Sequence, residues 1–136
     1  MSLFVDTSVW YAAVDASDAS NTRAKAILTR DEPFVCTDHV LVETWTMLRN
    51  RIHRHAAERF WDELRSTAMV EPVGTADLAA PWQIGLTYRD QDFSLVDRTS
   101  FAVMCRLGID RAASFDDHFA VFRFGPKRRH ALEIVG

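Results

Sequence analysis

The apolar positions fall into short solid runs separated by longer stretches of helical spacing. Leu3 to Val5 is the first run, and its brevity and lack of alternation predict a strand buried on both faces. Helical spacing follows from Ser8 toward Val14, and again from Ser20 to Leu28 after a polar turn. Phe34 to Cys36 predicts a second strand, with Thr37 or Asp38 placed to cap a helix running to about Asn50. His53 to Leu64 is a further helix, with Phe60, Trp61 and Leu64 to one side. Met69 to Val73 predicts a third strand in which Pro72 favours an end or an edge. Thr75 to Tyr88 is helical with Pro81 implying a kink or a split, and Ser94 to Leu107 is the clearest helix, closed by Gly108. A fourth strand at Arg111 to Phe115, a helical turn at Asp117 to Val121 and a last strand at Leu132 to Val135 complete the chain.

Short apolar strands alternating with helices predict a three-layer α/β/α sandwich around a parallel sheet of four or five strands. The 136 residues suit a single domain, residues 1–136, because a chain of this length buries roughly two-thirds of its unfolded surface. Nine Phe and four Trp against five Gly and four Pro describe a packed core without low-complexity segments. Cys36 and Cys105, each among apolar neighbours, are expected to be buried reduced thiols. The start of the chain has no basic leader before an apolar run and no stretch predicts a membrane span, so the expected location is cytoplasmic.

Ligand sites in such sheets lie beyond the carboxyl ends of the strands. That edge draws attention to Asp6 in LFVDTSVW and Asp116 in ASFDDHFAVF, which follow the first and fourth strands. Two further acids sit on predicted helices: Glu43 in VLVETWTML, in an apolar stripe with Val40 and Met47, and Asp97 in FSLVDRTSFAVM, aligned with Phe101 and Met104. Each has a structural alternative. Asp6 could cap the next helix, Glu43 could pair with an arginine, and Asp97 completes the capping box Ser94-Leu95-Val96-Asp97. Ser114-Phe115-Asp116-Asp117 resembles a second capping box, in which Asp116 faces the site and Asp117 is free to cap. Carboxylates gathered in one place repel unless protons or a cation intervene. Oxygen donors without thiolate or imidazole point to Mg²⁺ or Mn²⁺. His118 carries little weight as a base beside Phe119, and Thr7 and Ser8 could position water or phosphate.

FVDTSVW, VETW, SLVDRTSFAVM and SFDDHF, in this order, resemble the PIN-domain ribonucleases and most closely VapC toxins of bacterial toxin–antitoxin pairs. The resemblance implies Mg²⁺ or Mn²⁺ chelated by Asp6, Glu43, Asp97 and Asp116, which would be the catalytic and metal-binding residues. It further implies cleavage of transfer or ribosomal RNA, a homodimer, and a cognate antitoxin lying over the active-site groove. Ser114 stands where threonine is common and keeps the hydroxyl.

The net charge of -3 speaks against non-specific nucleic-acid binding by bulk charge. Local basic runs, Arg49 to His55 and Phe122 to His130, are the candidates for rimming an acidic cleft. Two rival readings are a phosphatase-type hydrolase with an acidic pocket and a non-catalytic partner-binding module of receiver type. The first would favour a second acid where Ser8 stands. The second needs a strand-end lysine, and none occurs between Lys25 and Lys127.

Overall fold

The computed structural model describes residues 1–136. Five parallel strands form one sheet in the order β3-β2-β1-β4-β7: β1 (Leu3–Val5), β2 (Phe34–Thr37), β3 (Ala68–Glu71), β4 (Arg111–Ala113) and β7 (Glu133–Val135). The expected parallel sheet of an α/β sandwich is present, and β3, the strand next to Pro72, lies at its edge. β1 is the central strand and is fully buried along its length, as its three consecutive apolar residues require. The chain moves from β1 to β2 and β3 on one side and later returns to β4 and β7 on the other. The carboxyl ends of β1 and β4 therefore flank the point where strand order reverses, where open α/β sheets place their sites.

Seven helices connect and cover the sheet: α1 (Thr7–Val14), α2 (Asn21–Leu28), α3 (Asp38–Arg51), α4 (Arg54–Thr67), α5 (Thr75–Thr87), α6 (Leu95–Leu107) and α7 (Asp117–Val121). Their ends follow local chemistry. Thr37 Oγ1 accepts the Val40 N–H to start α3, and His53 Nδ1 accepts the Ala56 N–H to start α4. Gly108 ends α6 at φ 68°, a left-handed conformation that glycine adopts without strain. Ala56, Ala57, Phe60 and Leu64 form the buried face of α4.

Several boundaries differ from expectation. β3 stops at Glu71 because the Val73 N–H is taken by the Asp38 carboxylate instead of a neighbouring strand. β4 stops at Ala113, since the Phe115 N–H turns to Ser8 Oγ. α5 stays one helix across Pro81, without the expected split. The missing N–H forfeits only its bond to the Asp77 carbonyl, and the ring is buried. Cys36 is buried as expected, but Cys105 is exposed, lining a surface pocket between α5 and α6.

A small hairpin was not anticipated. β5 (Arg123–Phe124) pairs antiparallel with β6 (His130–Ala131) around a 3-10 turn at Pro126–Arg128. A Cβ at Gly125, where φ is 74°, would meet His130 Cδ2 at 2.6 Å, so only glycine fits there. Below the site Phe101 stacks on Phe122 at 4.2 Å and meets Phe119 at 4.9 Å, while Phe93 packs edge-on against His118 at 5.2 Å. This aromatic block fixes α7 against α6.

Candidate active site

Asp6, Glu43, Asp97 and Asp116 come from β1, α3, α6 and the start of α7, and all four line one cavity of about 460 Å³. Asp6 is 4% exposed. Its backbone N–H continues the ladder to Ala113 O, and its Oδ2 accepts from Ser8 Oγ (2.9 Å) and Ser114 Oγ (3.0 Å). It occupies the N-cap position of α1 but makes no side-chain cap, which leaves the carboxylate to the cavity. Burial is the main force on this group and pushes its pKa up to about 6. The two serine hydroxyls work against the shift and the charge of Asp97 adds to it.

Asp97 reconciles its two roles. Its Oδ2 accepts the Ser94 N–H (3.1 Å) while Ser94 Oγ accepts the Asp97 N–H (3.0 Å), so the capping box is complete. The same Oδ2 accepts from His118 Nδ1 at 2.9 Å, which leaves Oδ1 for the cavity. The second expected box does not form: Asp116, not Asp117, caps α7, accepting the His118 N–H on Oδ1 at 2.9 Å. Ser114 Oγ accepts the Asp116 N–H, and Asp117 lies in the first turn of α7.

Glu43 is half-buried and has no arginine partner. Arg51 is the one arginine lining the same cavity, and it forms no ion pair with Glu43. Burial raises the Glu43 pKa, the Thr7 hydroxyl opposes this, and the charges of Asp97 and Asp116 add to it, which places Glu43 within electrostatic reach of both. Thr7 Oγ1 is itself buried and, although near enough to Glu43 to act on its pKa, makes no well-aligned hydrogen bond in the chain. Ser8 does not keep its hydroxyl free: it donates to Asp6 and accepts the Phe115 N–H.

Imidazole is present after all. His118 Nδ1 lies 2.9 Å from Asp97 and 3.3 Å from Asp116. Burial pulls its pKa down, but the hydrogen bond to Asp97 and the charges of Asp116, Asp97 and Asp92 outweigh it, and the net shift is upward. The ring therefore holds a proton more readily than a free imidazole, and when charged it lies between the two carboxylates as a counter-charge.

Residues 3–125 match the PIN domain family. The chain belongs to that family. VapC20 of Mycobacterium tuberculosis, a 23S rRNA-specific endonuclease known from strains H37Rv and CDC 1551, is 42% identical over 125 residues, covering 90% of this chain and 95% of that protein. The crystal structure of VapC20, a sarcin-ricin loop cleaving toxin, has a TM-score of 0.79 at 34% identity, covering 85% of this chain and 90% of the other. VapBC2 from Rickettsia felis, bound to a DNA fragment from its promoter, has a TM-score of 0.65 over 86% of this chain and 89% of the other. At 10% identity that likeness is one of fold alone. The chain is thus a VapC-like member of the PIN-domain family, as its four sequence landmarks indicated.

Ligand atoms of Asp97, Asp116 and His118 lie within 4.8 Å of one another, so this PIN domain has an acidic group able to hold a metal ion. The donor chemistry fits: Asp97 Oδ1 and the Glu43 carboxylate have no partners in the chain, and the orphaned Thr7 hydroxyl lines the same cavity. Asp18 and Asp92 also line it and were not singled out as site residues, whereas Arg51, which lines it too, belongs to the basic run expected to rim the cleft. Asp18 and Asp92 lie in loops without periodicity, and only the tertiary fold brings them here. Of the basic runs, Arg51 alone reaches this cavity; Arg54 pairs with Glu58 at 2.8 Å, and Arg123 to His130 line none of it. No helix is long and apolar enough to cross a membrane.

Proposed function

We propose that this protein is a metal-dependent endoribonuclease, the toxin of a toxin–antitoxin pair, acting on ribosomal RNA. The observation that carries the reading is the convergence of four carboxylates from four separate elements on one cavity at the strand ends. The 42% identity to a 23S rRNA-specific endonuclease supports ribosomal over transfer RNA as the substrate. Asp6, Glu43, Asp97 and Asp116 are the residues proposed to hold the ion and carry catalysis, with Mg²⁺ favoured and Mn²⁺ acceptable because the unpartnered donors are carboxylate oxygens. When bound, such an ion supplies Lewis-acid polarisation of the phosphate and a lowered pKa for water.

The chain's own residues divide the remaining work. Ser8 and Ser114 hold the Asp6 carboxylate in one rotamer, and the capping box does the same for Asp97. Glu43, unpartnered and with a raised pKa, is placed to accept a proton from the attacking water. Attack of that water on phosphorus expels the 3′-oxygen and leaves a 3′-hydroxyl and a 5′-phosphate. Neither rival reading has comparable support, since Ser8 is tied to Asp6 and no lysine reaches the cavity.

Partners belong to the same proposal. The α5 stripe Leu78, Trp82 and Leu86 is exposed at intervals of four residues and offers a surface for a second copy of the chain. Val42 and Trp61 expose a separate apolar patch on α3 and α4, outside the active-site groove over which a cognate antitoxin is proposed to lie. The test is mapping of 5′-phosphate RNA ends after brief expression in cells. New ends in 23S rRNA, absent with Asp97→Asn, are the expected result. Ends confined to transfer RNA would overturn the substrate, and no new ends would overturn the activity.

A further inference from the structure

The cavity that gathers the acids is lined by six carboxylates and a single guanidinium, that of Arg51. RNA entering it brings further negative charge, so whatever holds the strand there must offset repulsion that a metal ion at one point does not cover. Arg51 is the last residue of α3, eight positions beyond Glu43, or about 12 Å along the helix axis. That distance sets it beside, not on, the place where Glu43 meets Asp97 and Asp116.

Arg51 stays free for a ligand because its neighbours are already satisfied. Its guanidinium carbon lies 5.3 Å from the centre of the Tyr11 ring, a cation–π contact close enough for the guanidinium to act on the Tyr11 hydroxyl as well, and it forms no ion pair with a carboxylate of the chain. Tyr11 is buried and fixed, donating its hydroxyl to Asp15 Oδ2 at 2.7 Å. Asp15, the carboxylate that could have captured Arg51, also accepts the Ser17 N–H (3.0 Å) and the Ser17 hydroxyl (2.6 Å). Arg49 and Arg54, on either side in sequence, turn instead to Asn50 and Glu58. Just past Arg51, Ile52, His53 and His55 open onto a second cavity of about 630 Å³, with Lys25 and Arg59 in its wall alongside Asp15 and Glu63, the last paired with Arg59 at 3.6 Å. Arg51 thus stands on the ridge between the acidic cavity and a second hollow that a strand can enter.

We propose that Arg51, held beside the Tyr11 ring, binds an RNA backbone phosphate flanking the scissile one and directs the strand from the acidic cavity toward the Lys25, His53 and His55 hollow. The proposal rests on the ribonuclease reading for the identity of its ligand. A guanidinium presents paired donors to a phosphate in a geometry that an ammonium lacks.

The experiment measures binding apart from cleavage. A fluorescein-labelled single-stranded RNA oligonucleotide is titrated in Mg²⁺ against the Asp97→Asn protein and against Asp97→Asn carrying Arg51→Gln or Arg51→Lys. The expected result is a loss of affinity of about tenfold for Arg51→Gln, the scale of one charged hydrogen-bonded contact. The slope of log affinity against log salt should fall by ~0.7, the value for one phosphate on a single strand. Arg51→Lys should restore the slope and only part of the affinity. Equal affinity and slope for all three proteins would overturn the proposal, as would a loss of affinity with an unchanged slope, which would make Arg51 a brace for Tyr11. Cleavage by the parent chain is scored separately: if it cuts no RNA but the Arg51 effect appears, the nuclease reading falls and the phosphate contact stands.

Discussion

At the scale of single residues, three of the four acids are each held by specific hydrogen bonds: Asp6 by two serine hydroxyls, Asp97 by its capping box and His118, and Asp116 by the His118 N–H. Asp97 is the sharpest case, since a single oxygen serves the α6 cap and His118 together. Asp97→Asn keeps an oxygen for the cap but loses the charge, so RNA cleavage should fall by at least about a hundredfold while the melting temperature moves by only a few degrees. A chromatographic cleavage assay beside a thermal melt checks both halves. Asp6 makes a pH prediction for the metal-free protein. Its folded pKa of about 6 lies above the ordinary 3.8, so the folded chain binds that proton more tightly than the unfolded chain does. Stability from this group is full below the ordinary value and is lost as pH rises through about 6, by on the order of 2–3 kcal/mol. In chelator, the parent's denaturant midpoint should drop between pH 4 and 7 more than that of Asp6→Asn. The four acids were legible in the sequence because strand ends and apolar stripes are unusual places for carboxylates. The engagement of His118 was not, because its partners lie 21 residues away on α6 and beside it at the α7 cap, and neither contact leaves a local signal.

At the scale of elements, caps and apolar runs told more than interior detail. The capping box of α6, the Gly108 stop and the buried run of β1 could all be read locally, because each depends on residues within one turn or one strand. The β5–β6 hairpin could not, since two-residue strands carry no periodicity and its turn places Lys127 and Arg128 at φ 57° and 51°, which side chains seldom adopt. One cross-element tie was also invisible. Asp77 on α5 is buried and accepts Nε and Nη2 of Arg106 on α6, each at 3.0 Å, together with the Gly74 N–H at 2.8 Å, and Arg106 reaches on to Glu71 at the end of β3. The Arg106 hydrogen bonds hold the Asp77 pKa below its ordinary value against the opposing effect of burial. Asp77→Ala should therefore destabilise the protein at neutral pH by about 1–3 kcal/mol, read from urea unfolding. The difference between parent and variant should shrink as pH falls below 4, because the stabilisation from a depressed carboxyl is lost when that group is protonated.

At the scale of the whole molecule, the sheet reversal beside β1 is what turns scattered acids into one cavity; the alternation of strands and helices was enough to anticipate a parallel sheet with its site at the strand ends, but not the strand order. Surface association was less readable, because an apolar helix face looks the same whether it packs inward or outward. Trp82, 71% exposed, crowns the α5 stripe. Trp82→Glu should shift the protein toward monomer in sedimentation velocity at micromolar concentration with little change in melting temperature. A parent that is already monomeric would remove α5 as a self-association surface.

The order in which the site's parts appear along the chain bears on how the protein is born. The four acids occupy positions 6, 43, 97 and 116, and β1, the strand that seats the first of them, pairs with β4, which begins at Arg111. Such long-range parallel pairing closes late in folding. On the ribosome, where chains emerge at about 5–20 residues per second, the incomplete chain has no assembled centre until nearly all of it has left the exit tunnel. Synthesis itself thus imposes a delay between the emergence of the first acid and the completion of the centre.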